Sequence, residues 1–269
     1  MLFIRYEGGH IGVSGDRQKA AEWYIRNLGL IQAWDSLEEG QTLLSFPGGQ
    51  AIPLVSVRGG TKVNIWGPEE SLQRSGNTRL CFACPDLDTT QRVLKEEDVE
   101  TTSILPGPGR VDCFDFYDLE GTRLTAVAAP DQSKISEEVL FSGYAPVRIG
   151  VSAEEDAAAW YQRHLSMEIL QDFDEEGSML MGMGSGLTIW LETLPREAFQ
   201  GRQFLYTRPY FLTLDINIAQ DYCQDQGFMT SEIFGTQEGL RVFHFFDPFG
   251  NQLNAWTYPG AKPEEALNA

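Results

Sequence analysis

A few histidine, arginine and aromatic side chains at strand positions carry the chemistry open to this chain. His10 opens the alternating segment His10-Ile11-Gly12-Val13-Ser14. A histidine there can serve as a general base or a polar contact to a ligand, or it can simply end a strand with a hydrogen bond. In Arg241–Phe246, alternation puts Val242, His244 and Phe246 on one face and Arg241, Phe243 and Phe245 on the other, and which face is the inner one stays open. His164, beside Leu165 on a helix, suits an exposed or capping role. The guanidinium forks of Arg79 and Arg148 could capture a carboxylate or other anion, or pair with acidic neighbours. Phe211, Trp190 and Trp256 could present flat surfaces to an aromatic ligand, or pack in a core. Cys81 and Cys84 read C-x-x-C inside a strand, where residues three apart face opposite ways, which argues against a zinc or redox pair. There is no Gly-rich phosphate loop and no serine in a nucleophile elbow.

These residues sit in a repeat. Arg148-Ile149-Gly150-Val151-Ser152 echoes the segment at His10, and Trp160-Tyr161-Gln162-Arg163-His164-Leu165 echoes Trp23-Tyr24-Ile25-Arg26-Asn27-Leu28. Phe114–Leu124 and Phe243–Leu253 match in the same way, each a strand, an Asp-x-x-Gly turn and a strand. Helices follow the opening strands at Ala20–Leu28 and Ala157–Leu165, with Ala20, Trp23, Tyr24 and Asn27 on one face. Four βαβββ modules result, roughly 8–57, 78–128, 146–193 and 209–258. Polar connectors run from Arg58 to Asn77 and from Leu194 to Arg208, and the stretch Ala129–Ala145 is the candidate domain boundary. The fold class expected is α+β, with two domains at 1–130 (modules one and two) and 145–269 (modules three and four), each forming one cup.

In each opening strand Ile11 and Val13, or Ile149 and Val151, oppose the polar or small residues between them. One face therefore seats a helix and the other lines a concave sheet able to close over a guest. The chain has 269 residues and a net charge of −19, which repels nucleic-acid phosphates and anionic lipid. No run approaches the ~20 apolar residues of a membrane helix, the start lacks a signal-peptide pattern, and four cysteines make no disulfide scaffold. The expected setting is the cytoplasm, and the tail from Gly260 is expected to fray.

Strand His10–Val13, the segment Trp23–Leu30 and the turn Asp247-Pro248-Phe249-Gly250-Asn251 resemble the vicinal oxygen chelate superfamily of glyoxalases, bleomycin-resistance proteins, fosfomycin-modifying enzymes and extradiol dioxygenases. The resemblance spans nearly the whole chain. It implies metal ligands at two kinds of position: a histidine opening a module and a glutamate on its closing strand. Here the opening positions read His10, Arg79, Arg148 and Pro209, and the closing ones Thr125 and Asn254, with Ser56 and Glu192 near the corresponding places in modules one and three. In extradiol dioxygenases a tyrosine stands near the position of His244.

An open metal site needs about three protein ligands, and His10 is the one confident donor of the first cup. The expectation is therefore a protein that binds a small organic molecule through His10, Arg79, Thr125, Arg148, Glu192, Phe211, His244, Asn254 and Trp256 without the superfamily's usual metal. The alternative is a lyase or extradiol-type dioxygenase that uses Fe, Mn, Ni or Zn on His10 or His244 with Glu192. A third reading leaves one cup structural, serving contact with a homodimer mate or another partner.

Overall fold

A computed structural model of the chain describes residues 2–37, 40–56, 77–129, 139–152, 154–172, 174–175, 177–184, 186–199 and 207–261. Most of the connectors (57–76, 130–138 and 200–206) and the tail from 262 lie outside the described residues.

Module one comprises β1 (Phe3–Val13), α1 (Arg17–Leu28), β2 (Ile31–Ser36), β3 (Gln41–Ser45) and β4 (Ala51–Ser56). Module two has β5 (Thr78–Arg79), β6 (Cys81–Cys84), α2 (Leu87–Glu96), β7 (Leu105–Pro106), β8 (Asp112–Tyr117) and β9 (Arg123–Ala128). A linker strand, β10 (Gly143–Tyr144), precedes module three: β11 (Val147–Val151), α3 (Glu154–Leu165), β12 (Glu168–Gln171), β13 (Ser178–Gly182) and β14 (Ile189–Thr193). Module four is β15 (Thr207–Thr213), α4 (Ile216–Asp225), β16 (Phe234–Gly235), β17 (Arg241–Phe246) and β18 (Gln252–Thr257). The α+β class and its four repeated modules are as the sequence predicts.

An aspartate turns strand into helix in three modules. Asp16 accepts from the amides of Gln18 and Lys19, Asp86 from that of Thr89, and Asp215 from those of Asn217 and Ile218. Gly29 ends α1 in the left-handed conformation that glycine adopts without strain. The inner face of α1, with Ala20, Ala21, Tyr24 and Leu28, is buried against Ile11, Val13, Ile52 and Leu54 in the main core.

The sheets join differently from chain order. β1 lies antiparallel to β15, so modules one and four form one eight-stranded sheet in the order β16-β17-β18-β15-β1-β4-β3-β2. Modules two and three meet where β5 pairs antiparallel with β11, and Leu80 alone separates β5 from β6. One cup per half, the arrangement expected for 1–130 and 145–269, is corrected: each cup takes one module from either half. The cause is a free edge. Each opening strand pairs on one side with its own closing strand, as β1 does with β4, and its other edge needs a partner. Local sequence does not say which free edge that is.

Within a half, the modules are tied through their turns. Tyr24 Oη donates to Asp118 Oδ2 at 2.7 Å, and Tyr161 Oη donates to Asp247 Oδ2 at 2.8 Å. Each aspartate also organises its own Asp-x-x-Gly turn: Asp118 Oδ1 accepts from the Thr122 amide and Asp247 Oδ1 from the Asn251 amide, both at 2.7 Å. Burial raises both carboxyl groups above their usual range, Asp247 to about 6 despite its donors.

Removing the hydroxyl in Tyr161→Phe or Tyr24→Phe leaves a buried carboxylate short of one donor. Each variant should lose about 1.5–3 kcal/mol of unfolding free energy in urea titrations. Unchanged midpoints in both would show that these turns do not tie the modules together.

Candidate functional site in the two cups

Strand register fixes which residues correspond. His10 pairs with Arg208 and Arg79 with Arg148, so these four are the opening positions. Module four therefore opens on Arg208, not Pro209, which pairs with Gly9. Two residues further on, Gly12, Cys81, Gly150 and Tyr210 lie beside Val55, Thr125, Glu192 and Asn254 on the parallel closing strands. Val55, rather than Ser56, is thus the closing residue of module one.

In the first cup, formed by modules one and four, alternation sends Arg208, Tyr210, His244, Asn254 and Trp256 to the concave side. This settles the inner face of β17, which carries His244. The orientation of the Asn254 amide assigns a chain of hydrogen bonds. His244 Nδ1 donates to Asn254 Oδ1 at 2.6 Å, and Asn254 Nδ2 reaches His10 Nδ1 at 3.4 Å. The Tyr210 hydroxyl also donates to His10 Nδ1. Both histidines and Arg208 are almost fully buried. Burial first, and then the positive charge of Arg208, push both imidazoles below their ordinary range, His244 to about 3. Near neutrality both are uncharged, and Tyr210 connects His10 to the open part of the cup. That part is a pocket of about 470 Å³, walled by Trp34, Leu43, Pro53, Leu240 and Trp256, with Tyr210, Glu7 and Gln41 as polar contributors.

The second cup, formed by modules two and three, is a network of charges. Arg148 Nε donates to Glu192 Oε2 at 2.8 Å, and its Nη2 donates to Oε1. Burial opposes the charge on Arg148, but this two-pronged pairing outweighs it and holds the guanidinium above its usual value. Asp115 accepts from Arg123 Nε at 2.9 Å, from Thr125 Oγ1 at 2.6 Å and from Arg79 Nη1 at 3.3 Å. Burial raises its carboxyl, but the charge of Arg79 and the hydrogen bonds from Thr125 and Arg123 win, and the group stays below its ordinary value.

His10, His244, Asn254 and Trp256 therefore meet in one cup, and Arg79, Thr125, Arg148 and Glu192 in the other. Phe211 belongs to neither. It faces the helix side, buried against Phe3 and Tyr6, which corrects its expected place at a ligand. Sequence reasoning missed Arg208, Tyr210, Asp115 and the pocket wall at Trp34. Of these, Tyr210 was within reach of strand alternation once Arg208 is taken as the opening residue.

A metal of the kind the fold implies finds a poor donor set here. The first cup offers His10, Arg208, Val55 and Asn254 at its four key positions, and the second Arg79, Arg148, Thr125 and Glu192, with the one carboxylate held by a guanidinium. Among the described residues, no three histidine, cysteine, aspartate or glutamate side chains are grouped to hold an ion. The expected combination of His10 or His244 with Glu192 is also corrected, because Glu192 lies in the other cup.

The depressed histidines imply acid sensitivity. Their folded values lie below the unfolded ~6.5, so the neutral imidazoles contribute stability that is intact above pH 6.5 and is lost as pH falls towards 3. In His244→Gln, the drop in unfolding free energy between pH 7.5 and pH 5 should shrink by about 2 kcal/mol, read from urea titrations at the two pH values. An equal drop in both proteins would mean that His244 titrates normally in the folded state.

No protein-family model matches the sequence, and no curated protein matches it. Solved structures do. A Bacillus subtilis protein assigned as a dioxygenase superposes with a TM-score of 0.67 at 13% identity, covering 100% of this chain and 91% of its own. Glyoxalase I from Zea mays superposes with a TM-score of 0.65 at 14% identity, covering 94% of this chain and 92% of its own. At such identities the likeness speaks for architecture, and it agrees with the four curled modules described above. The chain has the vicinal oxygen chelate fold, shared with glyoxalases and dioxygenases.

Proposed function

We propose that the protein binds a small, flat, largely apolar organic molecule in the first cup, without the metal its fold usually implies. The supporting observation is the pocket of about 470 Å³, whose size suits a small ligand and whose walls bring Trp34 and Trp256 together with Leu43, Pro53 and Leu240. Tyr210 supplies a phenol oxygen at the edge of the buried polar chain, and Gln41 and Glu7 supply further polar groups. Large apolar walls with a few placed polar atoms favour binding of an aromatic body with one or two hydrogen-bonding substituents.

The names of the structural neighbours favour a second reading, a metal-dependent lyase or dioxygenase. The arginines at three of the four opening positions weigh against it, since a fixed positive charge repels a cation. A cytoplasmic setting fits the four cysteines, all buried and free, and the net charge of −19 disfavours nucleic acid and anionic membranes as partners.

Titration of tryptophan fluorescence with two-ring aromatic compounds should give saturable quenching. Trp256→Ala should weaken binding at least ~10-fold, about 1.4 kcal/mol, with the far-ultraviolet spectrum unchanged. Equal affinity in the variant would move the ligand out of the first cup. Stoichiometric Fe, Mn, Ni or Zn in protein purified without chelator, lost in His10→Ala, would overturn the metal-free reading.

A further inference from the structure

The second cup brings three arginines close together on neighbouring strands. Arg79, Arg123 and Arg148 face two carboxylates, Asp115 and Glu192, in a chain whose net charge is −19. Arg79 and Arg148 are also direct cross-strand partners, an arrangement of like charges that costs stability unless something offsets it. Arg148 is offset by both oxygens of Glu192. Arg79 is not served so well. Arg123 takes Asp115 Oδ2 and Thr125 takes Oδ1 at 2.6 Å, which leaves Arg79 a single contact of 3.3 Å. The Arg79 side chain is 17% exposed, and its five-donor fork has one partner within hydrogen-bond distance among the described residues.

The surroundings suit an organic anion. Cys81, Cys113 and Val127 share the concave face with Thr125 and Asp115, as register pairs on β6, β8 and β9. Trp190, the register partner of Arg148, is buried beside it under the loop at Gly109, where an added Cβ would come within 3.0 Å of the ring. We infer that Arg79 anchors the carboxylate of a small organic monoanion in the second cup, at a site separate from the first-cup pocket. The planar fork matches a carboxylate in two hydrogen bonds. A bound carboxylate also removes the repulsion between the two arginines.

The test is thermal unfolding in a low-salt zwitterionic buffer, with acetate, benzoate, chloride or inorganic phosphate as the added anion. Benzoate and acetate should raise the melting temperature saturably at concentrations where equal chloride and phosphate do not. Arg79→Met should melt higher than the parent protein without added anion, because the repulsion is gone, and should show no carboxylate response. Arg79→Lys, which keeps the charge without the fork, should need at least tenfold more benzoate for the same shift. The response should survive Trp256→Ala, which separates this site from the first cup. Three results overturn the inference: an equal shift with chloride, a response retained in Arg79→Met, or a response lost in Trp256→Ala. If Arg79→Met does not fold, Arg79→Lys with an unchanged benzoate response overturns it as well.

Discussion

Everything in this protein depends on how four unpaired strand edges find partners. Each module satisfies one side of its opening strand internally and leaves a row of amide and carbonyl groups on the other. Antiparallel pairing of β1 with β15 joins modules one and four in one sheet, pairing of β5 with β11 joins modules two and three, the linker strand β10 covers the outer edge of β6, and the apolar sides lie under helices. The same pairing places the opening residues of two modules side by side, so the character of each cup is decided where the halves meet.

At those meeting points the two cups have gone separate ways. The first buries Arg208 behind two neutral histidines and leaves an aromatic-walled pocket in front of them. The second pairs its arginines with Asp115 and Glu192, the side chains of Arg79 and Arg148 being 17% and 12% exposed. Buried charge is costly, so the two depressed histidines make the first cup sensitive to acid.

Much of this was legible from residues alone. The echo of Trp23-Tyr24 in Trp160-Tyr161 marked equivalent helices, and the two tyrosines do take equivalent aspartates, Asp118 and Asp247. Alternation sorted Ile11 and Val13 from His10, and Leu253 and Ala255 from Asn254, because a strand's period of two leaves little freedom. Two failures share one origin. Taking Pro209 as the opening residue shifts module four by one position, hides Arg208 and turns Phe211 towards the cup, since a slip of one residue reverses every side chain of a strand. The exchange of modules between halves was beyond reach for a different reason: edge pairing is a long-range choice among chemically similar strands, with no local signature.

The exchange has a consequence for how the cups could come to differ. Two identical copies of one half, associating through the same edges, would have to build two identical cups, since symmetry would place the same pair of modules around each. Covalent fusion of the halves lifts that restriction. A replacement at residue 10 alters only the first cup, and its counterpart at residue 148 only the second, so one hollow can keep a histidine while the other accumulates arginine.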